Sequence, residues 1–482
     1  MRRMKDSDLA ASAPRGPRYG SARVSAVTRA ALTLISVEGA LATVFTVLTG
    51  GAFLTGLALL WGANDFEIGL LTAAPFLAPI AQLASAYLID RTGARKRITV
   101  RYSVIARQSW WLIVPVALLP IGFKLEILIA VVIVCAVAIN IATVGWMSWV
   151  ADLVPERIRG RFFGTRNVAI SLATLLATMI GGIIVDYFRH RGREPVGFAV
   201  IIAAAAAFAA AAAVLLNRTP DRPSRGARIG WDRLVEPLRN PTFRHLLVVF
   251  SAWNCAIGIA APFFAPHMLT NLGMSFTLVA AYSSAAAVIG MFMNRPWGAL
   301  IDRFGCKPVI AFTALGIGFI PLVWLFPTAG HLGILIPEVI FSAILWTGFN
   351  LAAFNIPIAN SPSGRRNAYL ALFSMVTGIA FFAASLLGGY LAERWSGMTW
   401  QIGGRTFVNY HLLFAISAVL RFGSGLYALT FHEPAEKRLP VMIQFMGYSV
   451  LRAVWTGRHL FPKPPRLRPK RPADPTNSKL SR

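Results

Sequence analysis

The sequence predicts an all-α membrane protein in which twelve transmembrane helices form two pseudo-symmetric six-helix bundles. Three observations carry this expectation. The 482 residues are 56% hydrophobic and only 14% charged, with a mean hydropathy of +0.59, whereas soluble chains carry about a quarter charged residues. The charges collect between long apolar runs. Short sequence features in the first half of the chain also return in the second.

The apolar runs lie near residues 30–61, 67–89, 102–122, 126–150, 167–188, 196–216, 245–270, 277–300, 309–327, 332–357, 368–392 and 410–431. Each is long enough to read as a membrane span, for which about 18 apolar residues suffice. An even number of spans returns both ends of the chain to one face. The polar stretch NRTPDRPSRGARIGWDRLVEPLRNPT at 217–242 divides the spans six and six. The expected organisation is a flexible basic tail over 1–28, a first bundle over 29–216 and a linker over 217–243. A second bundle covers 244–432, and a tail with an interfacial amphipathic helix covers 433–482.

The formal net charge of +27 is explained by topology rather than by nucleic acid. Of 47 Lys and Arg, 38 fall in the tails and even-numbered loops, six on the opposite side, and three (Arg107, Arg295, Arg421) inside spans. That asymmetry follows the positive-inside rule and places both termini in the cytoplasm, for a chain integral to the cytoplasmic (inner) membrane. No nucleic-acid partner is expected. Cys135, Cys255 and Cys306 are scattered, without the spacing of a disulfide framework or a metal site. No Walker A loop or GxSxG elbow appears, and His432-Glu433 lacks the second histidine of a zinc-protease motif. Neither an enzyme, a cofactor nor a metal is expected.

The repeat is visible at helix ends. Asp90-Arg91-Thr92-Gly93 returns 212 residues later as Asp302-Arg303-Phe304-Gly305, and Gly181-Gly182 returns 207 residues later as Gly388-Gly389. Asp186 and Arg159 fall on Glu393 and Arg366 with that same spacing. Parallel repeats of six helices are an architecture of secondary transporters.

The loop after the second run resembles the signature loop of the major facilitator superfamily, G-x-L-x-D-R-x-G-R-K/R. Asp90, Arg91, Gly93 and Arg95 match it, while Ala86 and Ala94 depart from it. The second copy matches with Gly298, Leu300, Asp302, Arg303, Gly305 and Lys307. The resemblance covers about residues 28 to 432 and implies a transporter that rocks two bundles about a central cavity. It also implies that each signature Asp latches the halves by accepting hydrogen bonds at a helix start. Repeat symmetry puts Asp90 against Arg366 to Ala368, and Asp302 against Arg159 to Phe162. Drug exporters of the superfamily resemble G-P-x-x-G-G in the fifth span, whereas Ala177-Thr178-Met179-Ile180 precede Gly181 here.

Ionisable groups inside spans are costly and point to function. Glu38, in the first span, is expected to face the cavity and exchange a proton, or else to serve as a buried partner for Arg107 at similar depth. Arg421 reads as a structural ion pair or as reaching toward lipid headgroups. Arg295 is expected to pair locally, and Glu338 to stand near the outer entrance. Asn140, Trp253, Asn254, Trp346 and Asn350 lie on cavity-type spans and form the expected solute pocket, with interhelical packing as the alternative for each. Gly50-Gly51 marks a point where the first span can bend or break.

The expected function is secondary active transport of a small solute by a functional monomer in the lipid bilayer, coupled to protons through Glu38. The alternatives are an uncoupled facilitator and a non-transporting sensor or scaffold with the same fold.

Overall fold

The structure, a computed structural model, describes residues 26–155, 158–221, 236–362, 366–402, 405–431, 433 and 439–456. The first span is Ala26–Leu48 followed by Gly51–Leu60, broken at the Gly50-Gly51 pair where Gly51 takes φ +53°. The second is Asp65–Leu77 and Ile80–Thr92, interrupted beyond Pro75. The third is Arg95–Gln108 continued through a 3-10 turn into Ile113–Leu118. The fourth to sixth are Lys124–Leu153, Arg159–Arg189 and Glu194–Arg218.

The seventh span is Pro241–Gly258, followed by an irregular run that includes a 3-10 turn at Ala261–Phe263 and a π turn at His267–Asn271. The eighth is Phe276–Phe304, and the ninth is Cys306–Gly318 with Ile320–Val323. The tenth to twelfth are Leu335–Ala359, Arg366–Arg394 and Asn409–Tyr427. Among the described residues, nine helices are long and apolar enough to cross a membrane. The second, third and twelfth spans fall short of that measure. Each is nevertheless helical.

Local chemistry starts and stops these helices. Asn64 and Glu67 form a capping box at the second span, with Asn64 accepting from Glu67 N–H at 2.9 Å and Glu67 Oε2 accepting from Asn64 N–H at 2.8 Å. Such reciprocal bonds satisfy donors that a helix start leaves unpaired. Asn240 and Ser275 cap the seventh and eighth spans through Phe243 N–H and Leu278 N–H. Gly93 ends the second span in the left-handed region at φ +64°, a conformation that glycine adopts without the clash of a Cβ.

Two departures from the expected elements are found. The third span begins at Arg95 and stops at Leu118, earlier than 102–122 at both ends, because the basic residues continue the helix at its start. A β-hairpin, Thr399–Ile402 (β1) with Arg405–Val408 (β2), interrupts the expected all-α fold between the last two spans. Residues rich in strand formers flank the Gly403-Gly404 pair in the sequence there, a composition that favours a hairpin.

The first span packs on the fifth and sixth, and the third on the fourth. The seventh packs on the eleventh and twelfth, and the tenth on the eighth and ninth. The two sets meet along the second and eleventh spans and along the fifth and eighth. The far-face helix of the second span, Asp65–Leu77, lies along the eleventh, whereas its linker-face helix, Ile80–Thr92, packs on the fourth and third. Contact between the halves is therefore concentrated at the face opposite the linker. The helix Leu439–Thr456 docks Met442 in the core, and Phe445 lies against Phe304 with Arg303 4.0 Å from its ring. The tail expected to be interfacial thus has part of its apolar face covered by protein.

Candidate functional site: a charged cavity closed at one face

A cavity of about 760 Å³ lies between the halves. Its walls are mostly apolar, with Phe45, Leu54, Leu71 and Phe264 among them, and its charged lining residues are Glu38, Arg107 and Arg166. Glu38 projects from the first span and Arg107 from the third, and the two are paired, with Arg107 Nη1 donating to Glu38 Oε1 at 3.2 Å. Both are buried, at 3% and 7% exposure. An ion pair in so dry a place holds both groups only because each satisfies the other.

Asn140, on the fourth span, lines the same cavity. Its carbonyl accepts from Gln82 Nε2 at 2.8 Å, and its amide donates to the Ala136 carbonyl at 3.0 Å. Arg166 lies in the fifth span, two turns beyond its start. Its guanidinium sits 4.9 Å from the Trp146 ring centroid and so close to Gly39 that a Cβ there would stand 2.6 Å from Nη2. Its Nε is buried without an acceptor among the described residues.

The second half contributes the irregular part of the seventh span, through Ala261, Pro262, Phe264, Ala265 and Met268, together with Val279 and Ser283 of the eighth. Trp253, Asn254, Trp346 and Asn350, expected in the pocket, lie outside this lining. Trp253 is buried, stacked on Phe349 at 4.5 Å and tilted against Trp346 at 6.3 Å. Asn254 donates to the Phe250 carbonyl of its own helix at 2.8 Å, and Asn350 is exposed. Indole packing and a backbone acceptor have taken up three of these groups, and the cavity wall falls to the irregular chain after Gly258.

The face opposite the linker is closed by two carboxylates in repeat-related positions. Asp186, near the end of the fifth span, accepts from Phe276 N–H at 2.9 Å and Thr277 N–H at 2.7 Å, the first turn of the eighth. Glu393, near the end of the eleventh, accepts from Asp65 N–H at 3.0 Å, the first residue of the second. Asp65 is itself held by the Tyr410 hydroxyl and by Asn409 Nδ2, the latter at 2.9 Å. Helix starts carry unpaired N–H groups and the positive end of the dipole, so these bonds join the halves by charge-assisted capping. Deeper in, Phe76 stacks on Phe381 with centroids 3.9 Å apart.

At the linker face, the side chains of Asp90, Arg159 and Arg366 lie outside the described residues. Asp302 is exposed, and among the described residues no hydrogen bond joins it to the fifth span. Arg91 is exposed as well. Arg95 is buried and pairs with Asp152 and, at 3.5 Å, with Asp221, both in its own half rather than across the halves. Arg303 faces Phe445, as above. Gly305 (φ +91°) abuts Glu433, which accepts from Cys306 N–H at 3.0 Å and Lys307 N–H at 2.8 Å. Arg421 is 2% exposed inside the second half, with no acid in ion-pair reach among the described residues, so it neither reaches lipid nor forms the expected pair. Glu338 is buried and accepts from the Tyr282 hydroxyl at 2.6 Å.

Sequence reasoning missed Arg166, counting it with the loop charges although it lies seven residues beyond Arg159 in the same helix. It noticed Asp186 and Glu393 as repeat echoes without reading them as caps, and its latch of Asp90 and Asp302 concerns the opposite, linker face. The signal was present in the 207-residue spacing of two acids at helix ends.

The family model of the Major Facilitator Superfamily matches residues 39–364. An uncharacterised MFS-type transporter of Methanocaldococcus jannaschii is 21% identical over 362 residues, covering 73% of this chain and 89% of that protein. A variant of the nucleoside transporter NupG superposes with a TM-score of 0.65 at 12% identity, over 84% of this chain and 100% of its own. The xylose transporter XylE from E. coli, in an inward-open conformation, superposes with a TM-score of 0.63 at 15% identity, over 86% and 99%. With a family match over most of its length and the fold of solved transporters, this chain belongs to the Major Facilitator Superfamily of membrane transporters.

Proposed function

We propose that the protein is a secondary active transporter that carries a small solute across the cytoplasmic membrane by alternating access, with Glu38 as the proton carrier. One observation carries this reading. A central cavity contains the buried Glu38–Arg107 pair and is sealed at one face by two carboxylate caps that a rocking motion of the halves would break. Protonating Glu38 would release Arg107, so that proton uptake, solute binding and closure can be linked through one pair. The excess of Lys and Arg in the even loops supports cytoplasmic termini. The linker face is then cytoplasmic and the capped face external. The likeness to the inward-open xylose transporter is consistent with that orientation.

The test requires no knowledge of the solute. Phe76→Cys/Phe381→Cys, in a chain whose Cys135, Cys255 and Cys306 are replaced by Ser, places thiols across the external seam. Alternating access predicts that a membrane-impermeant thiol reagent added outside labels these positions slowly, and faster when Asp186 and Glu393 are both neutralised. External labelling that never occurs under either condition would rule out rocking. Glu38 being paired in the cavity favours a second reading, an uncoupled facilitator in which that pair is structural. Solute flux that Glu38→Gln leaves intact and makes no less pH-dependent would select it.

A further inference from the structure

The cavity has an unbalanced charge. Glu38 and Arg107 neutralise one another at 3.2 Å, and the remaining charged lining residue is the Arg166 guanidinium. Its Nε is buried without an acceptor; the charge of Glu38 acts on it from beyond ion-pair distance, while the Glu38 carboxylate itself is hydrogen-bonded to Arg107. Arg166 is half-buried, and a buried donor left without an acceptor is costly. The protein also shapes the place where the guanidinium lies. Gly39, the residue after Glu38, is the position where the first span approaches Arg166, and a Cβ there would make the guanidinium shift from where it lies. The Trp146 ring supports the same group at 4.9 Å. A planar fork of donors held this way suits a carboxylate.

We propose that the solute is an organic monocarboxylate with an apolar body, its carboxylate held by Arg166. This rests on the transporter reading and names the cargo of the same cavity. A single negative charge balances the lining, whereas a second one would leave it net negative beside Glu38. The apolar body matches Phe45, Leu54, Leu71 and Phe264, none of which offers a side-chain hydrogen bond. A neutral amide of the same shape would leave the positive charge of Arg166 without a counter-charge from the solute, and an amine would add a second cation beside it.

The experiment titrates the purified full chain with two matched series, benzoate, benzamide and benzylamine, then hexanoate, hexanamide and hexylamine. Tryptophan fluorescence and thermal unfolding are the readouts, because Trp146 and Trp110 line the cavity. Only the carboxylates should bind, and Arg166→Gln should weaken them roughly tenfold or more, the usual scale for a lost charged hydrogen bond. Arg166→Lys should fall between the two. Gly39→Ala should weaken carboxylate binding while keeping the charge, and Arg91→Gln, outside the cavity, should leave it unchanged. Unliganded unfolding close to that of the unmodified chain in at least one of Arg166→Lys and Gly39→Ala keeps the comparison interpretable. Amide or amine binding equal to the carboxylate overturns the proposal, as does Arg166→Gln with undiminished carboxylate affinity, or the failure of both carboxylates to bind. External-seam labelling uses no solute, so the two readings fail separately. Rocking without carboxylate binding sinks only the cargo assignment, and carboxylate binding at Arg166 without rocking sinks only transport.

Discussion

The two halves of this molecule share a repeat yet use equivalent positions differently. The first half supplies the charged lining of the cavity through Glu38, Arg107 and Arg166. In the second half the corresponding space is packed by Trp253, Trp346 and Phe349. Acids that follow the sixth and twelfth spans, Asp221 and Glu433, are 212 residues apart. The first takes the Arg95 side chain at 3.5 Å, while the second caps the backbone of the ninth span. What the two halves share most closely is the packing of their glycine pairs. In each glycine pair the first member packs inside its own half, Gly181 on Leu48 and Phe53, and Gly388 on Ile259. The second faces the other half, Gly182 on Phe276 and Thr277, and Gly389 on Phe66 and Asp65. The repeat thus keeps the packing where the halves meet, while the charged lining of the cavity comes from one side.

The largest expected effect tests that one-sidedness. Arg107→Leu leaves Glu38 buried and unpaired, and should cost about 3–5 kcal/mol of stability in thermal or denaturant unfolding. Replacing both members by Gln should recover most of the loss, since neither group is then an uncompensated charge. If Arg107→Leu is neutral, the pair is not the charged centre of the first half.

Next come the glycines that face across the halves. At Gly182 and Gly389 an added Cβ would stand 2.9 Å and 3.0 Å from backbone atoms of the opposite half. Gly182→Val and Gly389→Val should each destabilise the externally closed state by about 1–3 kcal/mol, the usual range for overpacking. External labelling at Phe76→Cys/Phe381→Cys reads that shift as a rate increase of roughly fivefold or more. Gly181→Val should instead lower stability of the whole chain without favouring either face. Equal behaviour of Gly181 and Gly182 would break the distinction between own-half and cross-half packing.

The carboxylate caps should differ in degree. Asp186 accepts two backbone bonds across the seam, and Glu393 accepts one. Asp186→Asn is expected to weaken external closure by about 1–2 kcal/mol and Glu393→Gln by about half of that, in line with the worth of charged hydrogen bonds and helix-dipole contacts. The same labelling assay ranks them.

The fold was legible because it depends on quantities a sequence carries directly, namely run length, charge asymmetry and repeat spacing. The Gly50-Gly51 break was legible in the glycine pair itself. The cavity was half legible. Glu38, Arg107 and Asn140 could be selected by depth and span number. Arg166 could not, because a basic residue near a loop is ordinarily a topology signal. The four pocket candidates of the second half were chosen by symmetry. Which face of a helix an indole or amide occupies depends on neighbours that are distant in sequence, and here the seventh span leaves helical geometry just where it meets the cavity.

The smallest expected effect addresses that last point. Asn140 and Asn350 are 210 residues apart, on spans that the repeat makes equivalent. Asn140 lines the cavity and is the acceptor for Gln82, whereas Asn350 is exposed outside the lining. Hydrogen bonds between membrane helices average about 0.6 kcal/mol, so Asn140→Ala should weaken binding of the cavity ligand by roughly threefold. Asn350→Ala should leave it unchanged. A threefold loss in both would mean that the second half also reaches the solute and that the asymmetry belongs to one conformation. A loss in Asn140→Ala alone would mean that it belongs to the binding site itself.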